Sequence, residues 1–138
     1  MSVETIKELI RKNDRLGKLL GIELVEVREG YAEARLEIGQ QHLNAANVAH
    51  GGAVFTVADI ALAAAANSYG NVTLLTNGNI TVFHGTKEGG ILSAYAEEIS
   101  KSRKLAHYRV TVSNDAGEQI AVFTATVYRT STPLTELE

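Results

Sequence analysis

The sequence has no cysteine, no tryptophan and one proline, and aromatic residues make up 6% of its 138 positions. Without cysteine there is no disulfide scaffold, no thiolate metal site and no thiol nucleophile. A single proline beside 45% apolar residues excludes a disordered chain. Charge of one sign is also scarce. Thirteen Lys and Arg face sixteen Asp and Glu, a formal net charge of −3. That balance excludes a general nucleic-acid-binding field and confines any anion site to a local cluster. The longest apolar run, around Val57–Ala66, contains Asp59 and is too short to span a membrane. The opening MSVETIKELIRKND is amphipathic and carries acids, unlike a signal peptide. The expectation is one domain over residues 1–138, cytoplasmic, with neither nucleic acid nor membrane as partner. A chain of this length can bury roughly two-thirds of its unfolded surface without a covalent or metal staple.

What is present has a clear order. Apolar residues at Val3, Ile6, Leu9, Ile10, Leu16, Leu19 and Leu20 recur at helical spacing. Ser2 is the expected N-cap, with Gly17 and Gly21 as stops. Ile22–Arg28 and Tyr31–Ile38 read as a hairpin turning at Glu29-Gly30. Its second strand alternates cleanly, with Ala32, Ala34, Leu36 and Ile38 on one face. Gly39–Ala49 is a polar loop. From Ala53 to Ala66 only Thr56 and Asp59 are not apolar, the pattern of a helix buried on nearly all sides. Strands follow near Thr73–Phe83, Ile91–Ser100, Leu105–Ser113 and Gln119–Arg129, and the tail STPLTELE reads as frayed. This order fits an α+β fold in which an antiparallel sheet curls around a central helix. One helix cannot cover a long sheet on both faces, so self-association is expected.

Chemistry concentrates where that helix begins. HLNAANVAHGGAVFTVAD sets Asn44, His50, Gly51, Gly52 and Asp59 around its start. The first N–H groups of a helix lack intrahelical partners, and its dipole is positive at that end. Glycine admits close approach, so a developing oxyanion would be held well there; the plainer reading of Gly-Gly is a tight turn. Asp59 is a carboxylate in an apolar helix, costly unless satisfied, protonated or used. His50 either donates to a ligand and orients the loop or merely caps the helix. Asn44 either binds water or a carbonyl or forms an Asx-turn. Gly51 and Asp59 are eight residues apart, about 12 Å along one helix. A reacting carbon must lie within about 3.5 Å of its attacking group. One helix therefore does not serve one carbonyl with both residues easily. Two helices packed antiparallel across a dimer would do so, which makes the dimer the expected minimal active unit.

Asn44-x5-His50-Gly51-Gly52-x6-Asp59, followed by ALAAAANS, resembles the PaaI-like branch of the hotdog-fold acyl-CoA thioesterases, within the 4-hydroxybenzoyl-CoA thioesterase superfamily. The resemblance covers most of the chain. It implies a six-stranded antiparallel sheet wrapped around a long central helix, and dimers commonly paired into tetramers. It implies hydrolysis of an acyl-CoA, phenylacetyl-type or medium-chain, to free acid and coenzyme A. No cofactor is implied, since coenzyme A is part of the substrate. In those roles Asp59 is nucleophile or general base, the Gly51 amide polarises the carbonyl, and His50 and Asn44 support substrate and water. Two positions depart from the family pattern. Asn47 stands where relatives usually carry Gly, and Phe83-His84-Gly85 stands where Phe-Arg-Pro or similar is common.

The second basic feature is Lys101-Ser102-Arg103-Lys104, in a turn between strands. It reads as a solvated hairpin turn by charge alone. Since relatives bind the nucleotide near this turn, Ser102, Arg103 and Lys104, with the titratable His84, are the expected contacts to the coenzyme A phosphates. His42 and His107 show no metal-ligand spacing, so no metal is expected. Thr76 and Asn77 read either as water-positioning groups or as a bulge beside Gly78. Val54, Phe55, Ile80 and Phe83 are the expected walls of the acyl pocket, completed by a partner chain. Two alternatives stand beside the thioesterase reading: a hydratase or dehydratase on the same architecture, and a non-catalytic acyl-ligand binder.

Overall fold

The computed structural model describes residues 1–137. Two short helices, α1 (Val3–Asn13) and α2 (Arg15–Leu20), precede strands β1 (Glu23–Arg28) and β2 (Tyr31–Glu37). The long helix α3 (Gly51–Asn67) follows a loop, and then come β3 (Asn71–Val82), β4 (Ile91–Lys101), β5 (Leu105–Asn114) and β6 (Gln119–Pro133). The strands form one antiparallel sheet in the order β1-β2-β4-β5-β6-β3. Among the described residues no helix is long and apolar enough to cross a membrane.

Small side chains bring α3 close to the sheet. Ala58, Ala61, Ala64 and Ala65 of the helix are fully buried, as are Ala32 and Ala34 of β2 and Ala94 and Ala96 of β4. Alanine favours helix and lets a neighbouring backbone approach. Larger residues fill the rest of the core, among them Leu36, Leu62, Tyr108, Val110 and Phe123. The alternation expected of β2 holds: Ala32, Ala34, Leu36 and Ile38 are all buried.

The N-terminal region departs from one continuous helix. Ser2 caps α1 as expected, its hydroxyl accepting from the Thr5 N–H at 3.2 Å. Asp14 then breaks the run and caps α2, its Oδ1 accepting from the Gly17 N–H at 2.8 Å. Gly17 is no stop. It lies inside α2, where a Cβ would come 2.7 Å from Ile60 Cδ1, so glycine there permits contact with α3. Gly21 does end α2, in the left-handed conformation at φ 80°. The tail is also more ordered than its composition suggests. β6 runs on to Pro133, and the Leu134 N–H donates to the Gly70 carbonyl at 2.9 Å. Leu134 is buried with Ile6 and Leu9 in a small apolar cluster; Glu138, the last residue of that tail, lies outside the described residues.

The two sheet edges differ. β1 lies under α1, and Lys7 Nζ donates to the Val25 carbonyl at 2.9 Å. β3 is a twelve-residue edge strand that pairs with β6 alone. Leu74, Leu75 and Val82 along it, and Phe83 just beyond it, are exposed. A long apolar edge of this kind is a template for strand pairing. Its register shifts between Leu75 and Asn77, so Thr76 and Asn77 mark a bulge. Gly78 follows because a Cβ there would sit 2.6 Å from Phe123 Cε1.

Candidate active site

The loop from Gly39 to His50 is pinned by a buried histidine. His42 Nδ1 accepts from the Gly39 N–H at 2.8 Å, and its Nε2 lies 2.7 Å from the Leu20 carbonyl. With Nδ1 accepting, Nε2 carries the proton and donates. The His50 N–H donates to the His42 carbonyl at 2.7 Å. His42 therefore fastens the entrance of α3 to the end of α2. Sequence reading considered this residue only as a metal ligand; its preceding Gly39-Gln40-Gln41 turn was the available signal.

His50 is the N-cap of α3, and its Nδ1 accepts from the Gly52 N–H at 2.9 Å. The capping reading is thus correct for Nδ1, and the ring presents an Nε2–H outward. Asn44 likewise makes an Asx-turn, its Oδ1 accepting from Ala46 at 2.9 Å and Val48 at 3.3 Å. Asn47 is left-handed at φ 61°. Asn is among the few residues that tolerate this region, so Asn47 supplies the turn that a glycine would.

The two glycines are not equivalent. At Gly52 a Cβ would meet His50 Nδ1 at 3.1 Å, so any larger residue there presses on the capping ring. At Gly51 a Cβ would meet nothing within 4 Å. The Gly51 N–H forms no hydrogen bond among the described residues. It is an exposed donor at the positive end of a seventeen-residue helix.

Asp59 lies two turns further along the same helix. Gly52, Phe55, Thr56, Asp59 and Ala63 form the one stripe of α3 that the sheet and the other helices leave uncovered. Asp59 is half-buried, and its carboxylate makes no hydrogen bond among the described residues. Burial raises its pKa, and the negative charge of Asp14 raises it further. Phe55, beside it on the stripe, packs on Phe123 with ring centroids 4.9 Å apart. Val54 is 2% exposed and belongs to the core, so it is not the pocket wall expected from sequence.

Residues 46–121 match the thioesterase superfamily. The chain belongs to the thioesterase superfamily. It is 42% identical over 92% of its length to a provisionally named esterase of Archaeoglobus fulgidus, covering 82% of that protein. It is 29% identical to the acyl-coenzyme A thioesterase PaaI of Escherichia coli, over 86% of this chain and 84% of PaaI. The solved structure of that E. coli PaaI superimposes with a TM-score of 0.92 at 26% identity, covering 95% of both chains. A mutant structure of PaaI from Thermus thermophilus gives 0.80 at 32% identity, over 83% of this chain and 98% of that one. The protein is therefore a PaaI-like hotdog thioesterase, a hydrolase of thioesters.

This thioesterase does not gather all its expected coenzyme A contacts in one protomer. His84 lies by the α3 N-terminus, where the Ala49 N–H donates to Thr86 O at 2.7 Å, and its Nε2 is 3.7 Å from Glu118 Oε2. Ser102, Arg103 and Lys104 lie at the opposite end of β5, about 30 Å away at the rise of an extended strand. There Arg129 Nη1 donates to the Ser102 carbonyl at 2.6 Å, and the Arg129 N–H to the Lys104 carbonyl at 2.7 Å. Ser102 is occupied too, its hydroxyl 3.0 Å from the Leu105 carbonyl. Arg103, Lys104, Asn71 and Arg129 line a surface cleft of about 360 Å³. The length of the sheet thus separates His84 from Ser102, Arg103 and Lys104 within one protomer.

Proposed function

We propose that the protein is an acyl-CoA thioesterase acting as a homodimer, with Asp59 of one protomer and the Gly51 amide of the other on a single thioester. The observation that carries this is the pair of unsatisfied groups on α3. A bare N–H at Gly51 and a bare carboxylate at Asp59 lie on one helix, too far apart for one carbonyl, beside an unpaired apolar edge strand. Antiparallel pairing of two β3 edges would lay the two α3 helices side by side in opposite directions. It would set the Asn71 end of one β3 against the Val82 end of the other. Arg103 and Lys104 would then share an end with the partner's Gly51 and the partner's His84. The half-sets separated in the protomer are reunited, and the cationic cleft borders the entrance to the site.

The chemistry asks little of the protein because a thiolate leaves readily. The Gly51 N–H polarises the carbonyl. Asp59 either removes a proton from the attacking water or attacks the carbonyl carbon itself, giving a mixed anhydride that water opens. The products are the free acid and the thiol, and the proton from water ends on sulfur. In this reading the His50 Nε2–H and the Asn44 side chain support the substrate and the attacking water. Pairing of dimers into a tetramer and a cytoplasmic setting are part of the same reading.

Thiol release from acetyl-, hexanoyl-, phenylacetyl-, benzoyl- and palmitoyl-CoA, run on wild type and Asp59→Ala, tests the assignment. Hydrolysis by wild type that the variant loses is the expected result. Turnover retained in the variant would remove Asp59 from the mechanism. Enoyl-CoA hydration without thioester cleavage would favour the hydratase. Charge reversal at Arg103 and Lys104 should raise KM more than it lowers kcat.

A further inference from the structure

The open stripe of α3 continues past Asp59 into an apolar groove. Ala63 and Asn67 form its floor, and Leu9, Ile10, Val72, Leu74, Leu134 and Leu137 its walls; its volume is about 260 Å³. A second recess lies nearby, reached through Ile60 and rimmed by Arg11, Lys18 and Glu23. Helix geometry separates the two. Ala63, four residues after Asp59, is rotated about 40° from it, whereas Ile60 is rotated about 100°. Only the first groove opens on the face that carries the carboxylate. Asp14 and Ile10 line both recesses, and the Asp14 charge acts on Asp59.

We infer that this groove receives the acyl group of the thioester, and that Leu74, Leu134 and Leu137 with Ala63 set which acyl groups are accepted. The inference rests on Asp59 as the attacking carboxylate. A carbonyl carbon held about 3.5 Å from Asp59 places the acyl tail within one helical turn of it. The groove falls below the usual range of about 300–1,000 Å³ for small-molecule pockets. Its mostly apolar walls suit an apolar acyl group such as an arylacyl or medium-chain one. The Asp14 charge at its rim disfavours an acyl group ending in a second carboxylate. The walls come from the first helix, the β3 edge and the C-terminal turn Leu134–Leu137. They replace the Val54 wall expected at the other end of the helix.

Two variants test this, each with two readouts. Ala63→Leu fills the floor with a residue helices favour. Leu137→Ala opens a wall at an exposed position. With Ala63→Leu, kcat/KM for hexanoyl- and phenylacetyl-CoA should fall by about tenfold or more, the scale of one or a few methylenes in an apolar pocket, while acetyl-CoA turnover changes little. Leu137→Ala should extend acceptance toward longer chains, and succinyl-CoA should be a poor substrate throughout. Binding of free phenylacetate and hexanoate by ligand-observed NMR is the second readout. It should be seen with wild type and lost in Ala63→Leu. Equal losses for all acyl groups, unchanged selectivity in both variants, or a changed oligomeric state in Ala63→Leu would overturn the assignment. Acids that bind wild type and not the variant, with no thioester cleaved, would keep the groove and overturn the thioesterase reading instead.

Discussion

The two ends of α3 are built on opposite principles. At its C-terminal end the polar side chains of Asn67, Ser68 and Tyr69 all have partners. Asn67 Nδ2 donates to the Ala63 and Thr73 carbonyls, and its Oδ1 accepts from the Thr73 N–H. The Ser68 hydroxyl donates to Ala65 O at 2.6 Å and accepts from the Gly30 N–H at 2.8 Å. Tyr69 and Tyr108 both reach Glu98 Oε1, at 3.0 and 3.2 Å. Burial, with the Glu98 charge behind it, pushes the Tyr108 hydroxyl far up and keeps it protonated. At the N-terminal end and along the open stripe, the Gly51 N–H and the Asp59 carboxylate have no partner among the described residues. Satisfied groups rigidify a fold, whereas unsatisfied ones cost stability and are kept where chemistry needs them. The difference separates residues that hold this helix from residues that use it.

Exchanging one residue at each end should break the comparison if it is wrong. Asp59→Asn has the largest expected effect on rate. Loss of a general base costs roughly 10²–10⁴-fold, and thiol release measures it. Its thermal midpoint should not fall. A carboxyl whose folded pKa is raised costs stability in its charged form above that pKa, and the cost fades as pH falls through it and is gone below the unfolded value. The Asn variant should therefore gain stability near neutral pH and lose the gain in acid. Asn67→Ala should do the reverse. Buried groups left unsatisfied cost about 1–3 kcal/mol each, so calorimetry should find a midpoint lower by roughly 10 °C. Its kcat per folded molecule for acetyl-CoA, whose acyl group is too short to reach Asn67, should stay near that of wild type.

Gly51→Ala sharpens the same contrast within one end. Its Cβ meets nothing in the protomer, and alanine is the better helix former, so the midpoint should hold or rise. A methyl group beside the carbonyl-binding N–H displaces the substrate, and misplacement by about 1 Å costs on the order of 10²-fold. Gly52→Ala, pressed against His50 Nδ1 at 3.1 Å, should lose stability as well as rate. Equal behaviour of the two variants would mean that Gly51 is only a turn.

The same division explains what could be read from sequence. The period-2 pattern of Tyr31–Ile38 and the apolar run after Gly52, broken only by Thr56 and Asp59, report local geometry, and both form the elements expected. The family motif was legible for a related reason, because the chemistry ties residue types to fixed spacing on one helix. Long-range partners leave no such trace. Nothing near Leu134 shows that it covers Ile6 and Leu9, and nothing near Asp14 shows that it ends one helix and caps the next. The His84 and Arg103 sets were joined by analogy. The antiparallel register of β3, β5 and β6, invisible to periodicity, places them at opposite ends.

The smallest expected effect concerns pH. Attack requires Asp59 ionised, so the acid limb of kcat/KM should follow its titration. Burial is the first cause that raises this pKa, and Asp14 the second. Both push the limb up from the ordinary aspartate value of about 3.9, against the positive end of the partner's α3, which pulls it down. Asp14→Asn removes the second cause alone. Asparagine is as good an N-cap as aspartate, so its Oδ1 still accepts from the Gly17 N–H and α2 stays in place. With one negative charge gone, ionised Asp59 is favoured and the limb moves to lower pH. It moves only by the Asp14 share, because burial remains. A pH–rate profile of both proteins, at low and high salt, measures the displacement. Salt should narrow the difference by screening Asp14, and it should leave the burial-driven part in place. A limb that moves upward, or one equally placed in both proteins, would separate Asp14 from the site and assign the acid limb to another group.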